Sequence, residues 1–403
     1  MKLRLLPFLV LANVSLFAQT TVENLSMGPG YANDIYYSLQ NGEVKTTARN
    51  DWHIAFTTKI VDAAILTNSV EGVNLFLASS DVSDWATLDT TGMSWAPLHN
   101  SDLYWSEGSF NAGATNHPNY GWGTYNNITH NVTGTKIFVI QFPDMTYKKI
   151  LIESMKTNGD FDFKIANLDG TNEVSRTLNK GSYPNQNFFY YDAQADSAFS
   201  REPDNTTWDL VFTKFDSELS PGVWYPVTGA LQNIGIEASE AWNVDTTQSN
   251  WYDFPTSDTV KNVIGGDWKS YAFNPPPGAW ALADSLTYFV QTSNEDMYRI
   301  VFKSWEGSAT GNFSFAKTLA STIGVSENAI EVLNFYPNPA TDKIYIETEE
   351  SLNVEIFNLN GQLIQSVEIE QSENISVSNF KTGTYIVVAK GQQNVFVSKL
   401  SIR

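Results

Sequence analysis

The side chains that could take part in chemistry are few. The chain of 403 residues contains four histidines and no cysteine. The histidines lie in the first third of the chain and are His53, His99, His117 and His130. His117 and His130 bracket the aromatic segment YGWGTY at 120–125. Imidazole nitrogens bind haem iron axially and an aromatic pocket excludes water, so this pair is a candidate set of axial ligands. Solvated loop histidines are the alternative.

Other catalytic arrangements are missing from the sequence. It contains no Gly-Xaa-Ser-Xaa-Gly elbow, no His-Glu-Xaa-Xaa-His zinc helix and no glycine loop for phosphate. The lack of cysteine excludes disulfides, thiol nucleophiles and thiolate metal sites. Met145 and Met155 could ligate iron, but we expect both to pack in a strand pair. We therefore predict a protein that is not an enzyme and that has no metal site.

The elements that must position these side chains are short β-strands. From about residue 30 to 320, runs rich in Val, Ile, Tyr, Phe, Trp and Thr alternate with Gly, Pro, Asn and Asp clusters. Good strand candidates are 138–141, 150–152 and 161–165, with a tight-turn pair Asn158-Gly159 before the last. We predict an all-β fold of antiparallel sheets.

The strand region is an internal repeat. The motif DWHIAF at 51–56 returns as TWDLVF at 207–212, and a tyrosine-rich strand precedes each copy, at 34–39 and 188–192. Further matches follow in the same order, which chance does not easily explain. The matched segments are 101–111 with 264–274, 150–155 with 300–305, and 159–163 with 311–315. We predict two β units, at 20–185 and 186–324, and a linker at 325–332.

At these residues the sequence resembles the HmuY-like family of secreted haem-binding proteins, whose units open with a tyrosine-rich strand followed by a Trp-Asp-Ile-Ala-Phe type motif. The resemblance covers roughly residues 30–320. It implies two tandem antiparallel units and a haem held by paired axial side chains. The family's ligand positions do not match this chain residue by residue, and the second copy contains no histidine.

His53 is a candidate that the strand pattern argues against. It lies between Trp52 and Ile54, and its counterpart in the second copy is Asp209. Successive side chains of a strand point to opposite faces, and polar residues mostly face water. We therefore expect both positions to be exposed to solvent.

Tryptophans suggest a second function. Several fall in the longer loops, namely Trp85, Trp95, Trp105, Trp122, Trp242, Trp251 and Trp268. Their rings could stack on sugars as well as fill cores, which supports a carbohydrate-binding or adhesive module. Trp105 and Trp268 recur between the copies, so we expect these two to pack.

The composition and the N-terminus describe an exported acidic protein. Asp and Glu number 44 against 24 Lys and Arg, and the net charge of −20 opposes binding to nucleic acid. Residues 1–19 are typical of a signal peptide, with Lys2 and Arg4 before an apolar run and the small residue Ala18 after it. That run is shorter than the ~20 residues of a transmembrane helix, and no longer one follows.

The C-terminal segment, 333–403, carries the most specific motifs. It resembles the type A C-terminal sorting domain of type IX secretion, which opens with Tyr-Pro-Asn-Pro, continues with an Asn-Gly hairpin and ends with a Gly-Xaa-Tyr strand and a basic tail. The matching residues here are Tyr336, Pro337, Asn338, Pro339, Asn360, Gly361, Gly383 and Tyr385. Alternating residues predict a small β-sandwich. The resemblance implies passage through the outer membrane on the type IX machinery.

These observations predict an exported, non-enzymatic ligand-binding protein that passes through the periplasm to the cell surface or the medium. Haem is the leading ligand and cofactor, through the resemblance and the pair His117 and His130. The alternative is a carbohydrate-binding or adhesive module that does not bind haem. The expected partner is the type IX secretion machinery.

Overall fold

The computed structural model describes residues 20–115, 117–247, 250–274, 277–321, 333–348, 351–391 and 395–403. The signal peptide predicted at 1–19 and the linker predicted at 325–332 lie outside these residues. Contacts divide the chain into two compact units, Met1–Ile323 and Gly324–Arg403. Within the described ranges, no helix is long and apolar enough to cross a bilayer.

Antiparallel β-strands build both units, which confirms the predicted all-β fold. The strands of the first unit are β1 Thr20–Ser26, β2 Asn33–Ser38, β3 Gly42–Ala48, β4 Ile54–Thr57, β5 Ile65–Thr67, β6 Asn74–Ser79, β7 Gly123–Tyr125, β8 Val132–Gly134, β9 Ile137–Gln141, β10 Tyr147–Met155, β11 Phe161–Asn167, β12 Val174–Leu178, β13 Phe188–Asp192, β14 Ser197–Phe199, β15 Leu210–Ser220, β16 Val223–Gln232, β17 Glu237–Trp242, β18 Lys269–Ala272, β19 Ala279–Leu282, β20 Leu286–Gln291, β21 Met297–Trp305 and β22 Asn312–Ser321. Those of the second unit are β23 Phe335–Tyr336, β24 Lys343–Ile346, β25 Leu352–Asn358, β26 Leu363–Ile369, β27 Glu373–Ser376, β28 Gly383–Lys390 and β29 Val395–Ile402.

The helical segments of the described chain are short 3₁₀ turns. They are Pro29–Tyr31, Arg49–Asp51, Ser69–Glu71, Val82–Thr87, Ser109–Asn111, Lys180–Ser182 and Trp251–Asp253.

Four large sheets form the first unit. One has five strands in the order β1-β22-β21-β20-β17, and one has seven, β12-β11-β10-β8-β7 with β9 and β6 attached through β10. Two have four strands each, β14-β13-β4-β5 and β16-β15-β2-β3. The hairpin β18-β19 forms a separate two-stranded sheet.

The two repeats exchange their tyrosine-rich strands. β13 of the second repeat pairs with β4 of the first, and Tyr190 lies opposite Ala55. β2 of the first repeat pairs with β15 of the second, and Tyr36 lies opposite Val211. Because Tyr36 corresponds to Tyr190 and Ala55 to Val211 in the repeated motifs, the two pairings have the same register. Each four-stranded sheet is therefore made from both repeats.

Alternation along these strands gives each four-stranded sheet two different faces. Ile54 and Phe56 of β4 enter a core shared with the seven-stranded sheet. Leu210 and Phe212 of β15 enter a second core shared with the five-stranded sheet. Full burial of such a side chain is worth about 1.5–3 kcal/mol. The residues between them point the opposite way, where the two four-stranded sheets face each other across a cleft.

The second unit is a β-sandwich of two sheets, β23-β24-β27 and β26-β25-β28-β29. Ile344, Ile356 and Val387 are among the inward side chains that form its core. The hairpin between β25 and β26 turns at Gly361, whose φ of 78° is a left-handed conformation that glycine adopts without strain. The alternation in the sequence therefore predicted this sandwich correctly.

The two methionines considered as iron ligands differ in their environments. Met155 is buried in the first core, as expected. Met145 is 66% exposed, so the prediction that it packs in the core is wrong. It lies in the turn between β9 and β10, where its N–H donates to the Phe142 carbonyl and its φ is 64°. A turn residue faces neither side of the sheet.

Candidate functional site

A cleft in the first unit lies between the two four-stranded sheets. It encloses about 730 Å³ of space, part of it open to solvent. One wall carries Trp52 and Tyr190, and the other carries Tyr36 and Val211. Trp105 contacts the apolar clusters of both walls. The strand exchange thus brings residues of both repeats to one site.

Aromatic pairs of matching geometry belong to the apolar clusters behind the two walls. Trp52 meets Tyr190 edge-on, with ring centroids 5.1 Å apart and planes at 79°. Trp208 meets Tyr36 in the same way, at 5.0 Å and 78°. Neither indole Nε1 has a hydrogen-bond partner among the described residues. The two repeats share this geometry. We therefore attribute the missing hydrogen bond of each indole to its edge-on packing against the tyrosine ring.

Trp105 is fixed inside the cleft by polar contacts. Its Nε1 donates to the Gln232 carbonyl at 2.8 Å, and the Lys261 Nζ lies 4.4 Å from its ring centroid. Trp268, its counterpart by sequence, lies in the second core instead, stacked on Phe302 at 3.7 Å. Both tryptophans pack, as expected, but only Trp105 reaches the cleft.

A buried ion cluster lies at one side of the cleft. Arg201 binds Asp34 at 2.6 Å and Asp51 at 2.7 Å, and Arg49 binds Asp34 at 2.8 Å. Both arginine side chains are at most 3% exposed. Burial alone would raise the pKa of Asp34, but Arg201 and Arg49 outweigh burial and hold that pKa below its ordinary value. The cluster is therefore ionised and internally paired.

One atom of this cluster lacks a hydrogen bond. Arg49 Nη1 is buried without a hydrogen-bond partner among the described residues, and the nearest charge is Glu71 Oε1 at 3.8 Å. Asn68 Nδ2 donates to the carbonyls of Arg49 (2.8 Å) and Trp52 (3.0 Å) and so fixes this corner of the cleft. The Asn68 Oδ1 atom also has no hydrogen-bond partner in the part of the chain that the structure describes. The corner therefore holds an unused donor and an unused acceptor.

Glu202 lies behind the tyrosine wall. Its carboxyl accepts the backbone N–H groups of Asn187 (2.9 Å) and Phe188 (3.1 Å) and the Tyr190 hydroxyl (2.9 Å). Burial raises its pKa from 4.5 to about 7, even though these donors oppose the shift. This side chain therefore changes charge near neutral pH.

Two lysines also line the cleft. Lys261 Nζ donates to the carbonyls of Ser101 (2.7 Å) and Tyr104 (3.3 Å), and burial lowers its pKa from 10.5 to about 7. Lys214 Nζ donates to the Val70 carbonyl at 3.1 Å. The charged residues lining the cleft are Arg49, Arg201, Lys214, Lys261, Asp34 and Asp216. The cleft is thus richer in basic than in acidic groups, although the chain has 44 acidic and 24 basic residues.

The two candidate haem ligands lie outside this cleft. His117 and His130 are exposed in the same loop region, and both contact Tyr125. The His117 and Tyr125 ring centroids are 4.7 Å apart, and the Tyr125 hydroxyl is 2.6 Å from His130 Nδ1. The two histidines therefore contact the same residue, Tyr125. A haem bound between their imidazoles would have to displace these contacts with Tyr125.

The other two histidines have structural partners. His99 Nδ1 lies 3.0 Å from Asp216 Oδ2, and its ring stacks on Trp224 at 4.6 Å. His53 is 8% exposed, so the prediction that it faces solvent is wrong. Its Nδ1 accepts the N–H of Ala193 at 3.1 Å. The alternation rule fails here because His53 precedes the first residue of β4, and its ring packs edge-on against Phe142 with centroids 5.0 Å apart.

The counterpart of His53 is also buried. Asp209 is 7% exposed, and its Oδ2 accepts the N–H of Leu39 at 2.7 Å. Leu39 and Ala193 occupy the same position, two residues after the tyrosine pair of each exchanged strand. Each of the two polar side chains therefore accepts a backbone N–H just beyond the end of the strand that the other repeat contributes to its sheet.

Comparison of the two copies could have found part of the site. Arg49 corresponds to Asn205, because each precedes the tryptophan of its motif by the same distance. The first copy therefore has a charged residue where the second has a neutral one. A charged residue in only one copy indicates a local role that the shared fold does not require. Nothing in the sequence pattern identified Arg201, Glu202 or Lys261, because each acts through residues far away in the chain.

The sorting motif binds the last strand of the second unit. Asn338 Nδ2 donates to the Lys399 carbonyl at 2.7 Å, and Asn338 Oδ1 accepts the Ser401 N–H at 2.9 Å. Tyr336 is 56% exposed, with its ring 5.3 Å from that of Tyr345. Gly383 opens β28.

Tyr385 has a structural place inside the second unit. It is buried, and its hydroxyl donates to the Lys381 carbonyl at 2.9 Å.

Comparison with known proteins identifies only this second unit. Residues 334–403 match the family described as the secretion system C-terminal sorting domain. The predicted type IX sorting domain is thereby confirmed, and it implies interaction with the type IX machinery and export to the cell surface or extracellular space. No curated protein and no solved structure matches the chain. The HmuY-like resemblance of the first unit stays a prediction.

Proposed function

We propose that this exported protein is a non-enzymatic binding protein whose ligand lies in the cleft between the two four-stranded sheets. The observation that carries the proposal is the composition of the cleft, which combines aromatic rings from both repeats with basic side chains and an unpaired Arg49 donor. Ligand pockets are mostly apolar with a few placed polar groups. If the two four-stranded sheets served only to pack against each other, the space between them would be filled by side chains.

A saccharide is the ligand class that these groups favour. Trp52 and Trp105 offer apolar ring faces against which the C–H face of a pyranose can pack. Arg49 and Lys214 offer donors for hydroxyl or carboxylate oxygens. Recognition by packing and hydrogen bonding is the simplest role for these groups.

Haem suits this cleft less well. Histidine, methionine and cysteine are absent from the residues that line it, and these supply most axial iron ligands. Tyrosine can bind iron as the phenolate, but burial raises the pKa values of Tyr36 and Tyr190 far above neutrality. Their hydroxyls are also engaged, with Arg201 and Glu202 respectively.

The test is binding of the mature chain, without residues 1–19, to a glycan array, followed by titration calorimetry of each sugar that binds. We expect Trp105→Ala and, separately, Lys214→Met to weaken binding at least about tenfold, since each removes a contact of about 1.4 kcal/mol or more. The control is Trp95→Ala, because Trp95 is 47% exposed and packs on Phe76 and Tyr147 rather than in the cleft. An array without hits, or binding that both cleft variants retain, would overturn the proposal.

Haem at the loop histidines is the second candidate, because His117 and His130 contact the same residue, Tyr125. The measurement is a haem titration read from the Soret band, beside the double variant His117→Ala/His130→Ala. A saturable band that the double variant loses would establish this function. A band that survives in the variant, or no band at all, would reject these ligands.

A further inference from the structure

The outer edge of the last strand, β29, is covered by the segment that contains the sorting motif. A strand at the edge of a sheet presents unpaired N–H and C=O groups. In the sheet order β26-β25-β28-β29, β29 pairs with β28 on one side only. On its other side, Ala340 forms a bridge with Ile402. The motif segment therefore lies where a further strand would pair.

Hydrogen bonds from this segment satisfy consecutive backbone groups of β29. The Ser401 carbonyl accepts the Ala340 N–H at 2.8 Å, and the Arg403 N–H donates to the Ala340 carbonyl at 2.9 Å. The two groups that precede them, the Lys399 carbonyl and the Ser401 N–H, are bound by the side chain of Asn338. Four backbone groups along one edge are thus paired by Asn338 of the motif and by Ala340, which follows Pro339.

The prolines on either side of Asn338 explain why its side chain, rather than the backbone, binds the edge of β29. Pro337 and Pro339 have no backbone N–H and cannot donate to a ladder. The carboxamide of Asn338 carries one donor and one acceptor in the same arrangement as a peptide group. It therefore takes the place of the peptide group that the prolines cannot provide. Asp, which has the same length, keeps the acceptor but carries a charge and lacks the donor.

We propose that Asn338 is the positioning residue of the sorting motif and that it acts by holding the end of β29 in the conformation that the type IX machinery binds. The remainder of the motif fits this role. Tyr336 lies on the surface, 56% exposed, with its ring against Tyr345 of β24. Lys399 and Arg403 are exposed at the strand end that Asn338 holds. The inference concerns the second unit alone and does not depend on the ligand of the first.

The experiment compares Asn338→Ala and Asn338→Asp with the natural chain in a host that has type IX secretion. Asp keeps the acceptor for the Ser401 N–H and loses the donor to the Lys399 carbonyl, so we expect exported protein to fall in the order Asn, Asp, Ala. In the purified chain, hydrogen exchange of the Ser401 amide should rise about 10- to 30-fold in Asn338→Ala, since two hydrogen bonds are lost. The thermal midpoint of the unit is recorded for every variant.

Ser398→Ala is the matched control, because the Ser398 hydroxyl also ties β29 to the same segment, donating to the Leu333 carbonyl at 3.0 Å. We expect this variant to be exported normally even if its thermal midpoint falls as far as that of Asn338→Ala. The proposal is supported if, across the variants, the amount of exported protein falls as the exchange rate of the Ser401 amide rises and does not correlate with the thermal midpoint. Normal export of Asn338→Ala, or equal loss of export in Ser398→Ala, would overturn it.

Discussion

His53 and Asp209 do the same work at equivalent positions of the two repeats. Each lies next to a motif tryptophan, and each accepts one backbone N–H from the first residue after the exchanged strand: Ala193 for His53 and Leu39 for Asp209. An imidazole nitrogen and a carboxylate oxygen are different chemical groups, but both are acceptors. The position requires an acceptor rather than a particular residue.

Removing either acceptor should destabilise the first unit. His53→Ala and Asp209→Ala each leave a buried N–H without a partner, which costs about 1–3 kcal/mol of unfolding free energy. His53→Asn, which retains an acceptor, should recover part of that loss. Urea unfolding followed by tryptophan fluorescence measures this selectively, because all 12 tryptophans precede residue 306 and so lie in the first unit. An unchanged midpoint in both alanine variants would contradict the assignment.

Glu202 should make the first unit less stable as the pH rises towards 8. Its pKa is 4.5 ordinarily and about 7 in the fold, so folding takes up a proton between these values. The stability that this carboxyl contributes is complete below pH 4.5 and is lost as the pH rises through about 7. We expect the loss of unfolding free energy between pH 5 and pH 8 to be smaller in Glu202→Gln by about 1–3 kcal/mol.

The matched control for this pH dependence is Glu43→Gln, since Glu43 is exposed on β3 of the same unit. Its unfolding free energy should follow the natural chain at both pH values. A Glu202→Gln variant whose pH dependence runs parallel to that of the natural chain would show that the buried carboxyl does not titrate in this range.

Arg201 should matter far more than an exposed arginine. Arg201→Met would leave the buried Asp34 with Arg49 as its cation and would remove the partner of the partly exposed Asp51, which costs about 3–5 kcal/mol of unfolding free energy. The comparison is Arg176→Met, because Arg176 pairs with Asp196 at the surface and such pairs contribute about 1 kcal/mol or less. Equal losses in the two variants, measured by urea unfolding, would argue against a structural role for the buried cluster.

Gly383 of the sorting motif should tolerate alanine without loss of fold. A Cβ atom there would meet nothing closer than the Lys381 carbonyl oxygen at 3.9 Å. By contrast, a Cβ at Gly108 would lie 2.0 Å from the Ile65 carbonyl oxygen, so Gly108→Ala must move backbone in the first unit. Circular dichroism and thermal midpoints should show an intact second unit in Gly383→Ala and a destabilised first unit in Gly108→Ala. A Gly383→Ala variant that unfolds would contradict the geometry.

Local patterns were enough to predict much of the architecture. Alternation and turn residues indicated the strand at 161–165 and the hairpin at Asn360-Gly361, because a strand's pleat and a tight turn depend on neighbouring residues. The tyrosine-proline motif identified the sorting domain, which the family comparison confirmed. The repeat was visible because its two copies kept the same residues facing inward.

Strand pairing and burial could not be predicted in the same way. The Met145 turn and the burial of His53 both depend on which segments cover a given position, and periodicity does not contain that information. The cleft was missed for the same reason. Its aromatic walls were present in the repeated motifs, but nothing in those motifs indicated that they face each other.

By itself, the sequence determined that this is an exported, acidic, all-β protein with an internal repeat and a type IX sorting domain, since each property is encoded within short segments of chain. Only the tertiary structure decided that the repeats exchange strands, that Arg201 joins Asp34 and Asp51, and that a cleft opens where the two exchanged sheets meet. The physical reason is distance along the chain. Asp209 and Leu39 are 170 residues apart, and their hydrogen bond exists only because β2 of one repeat pairs with β15 of the other over a shared core.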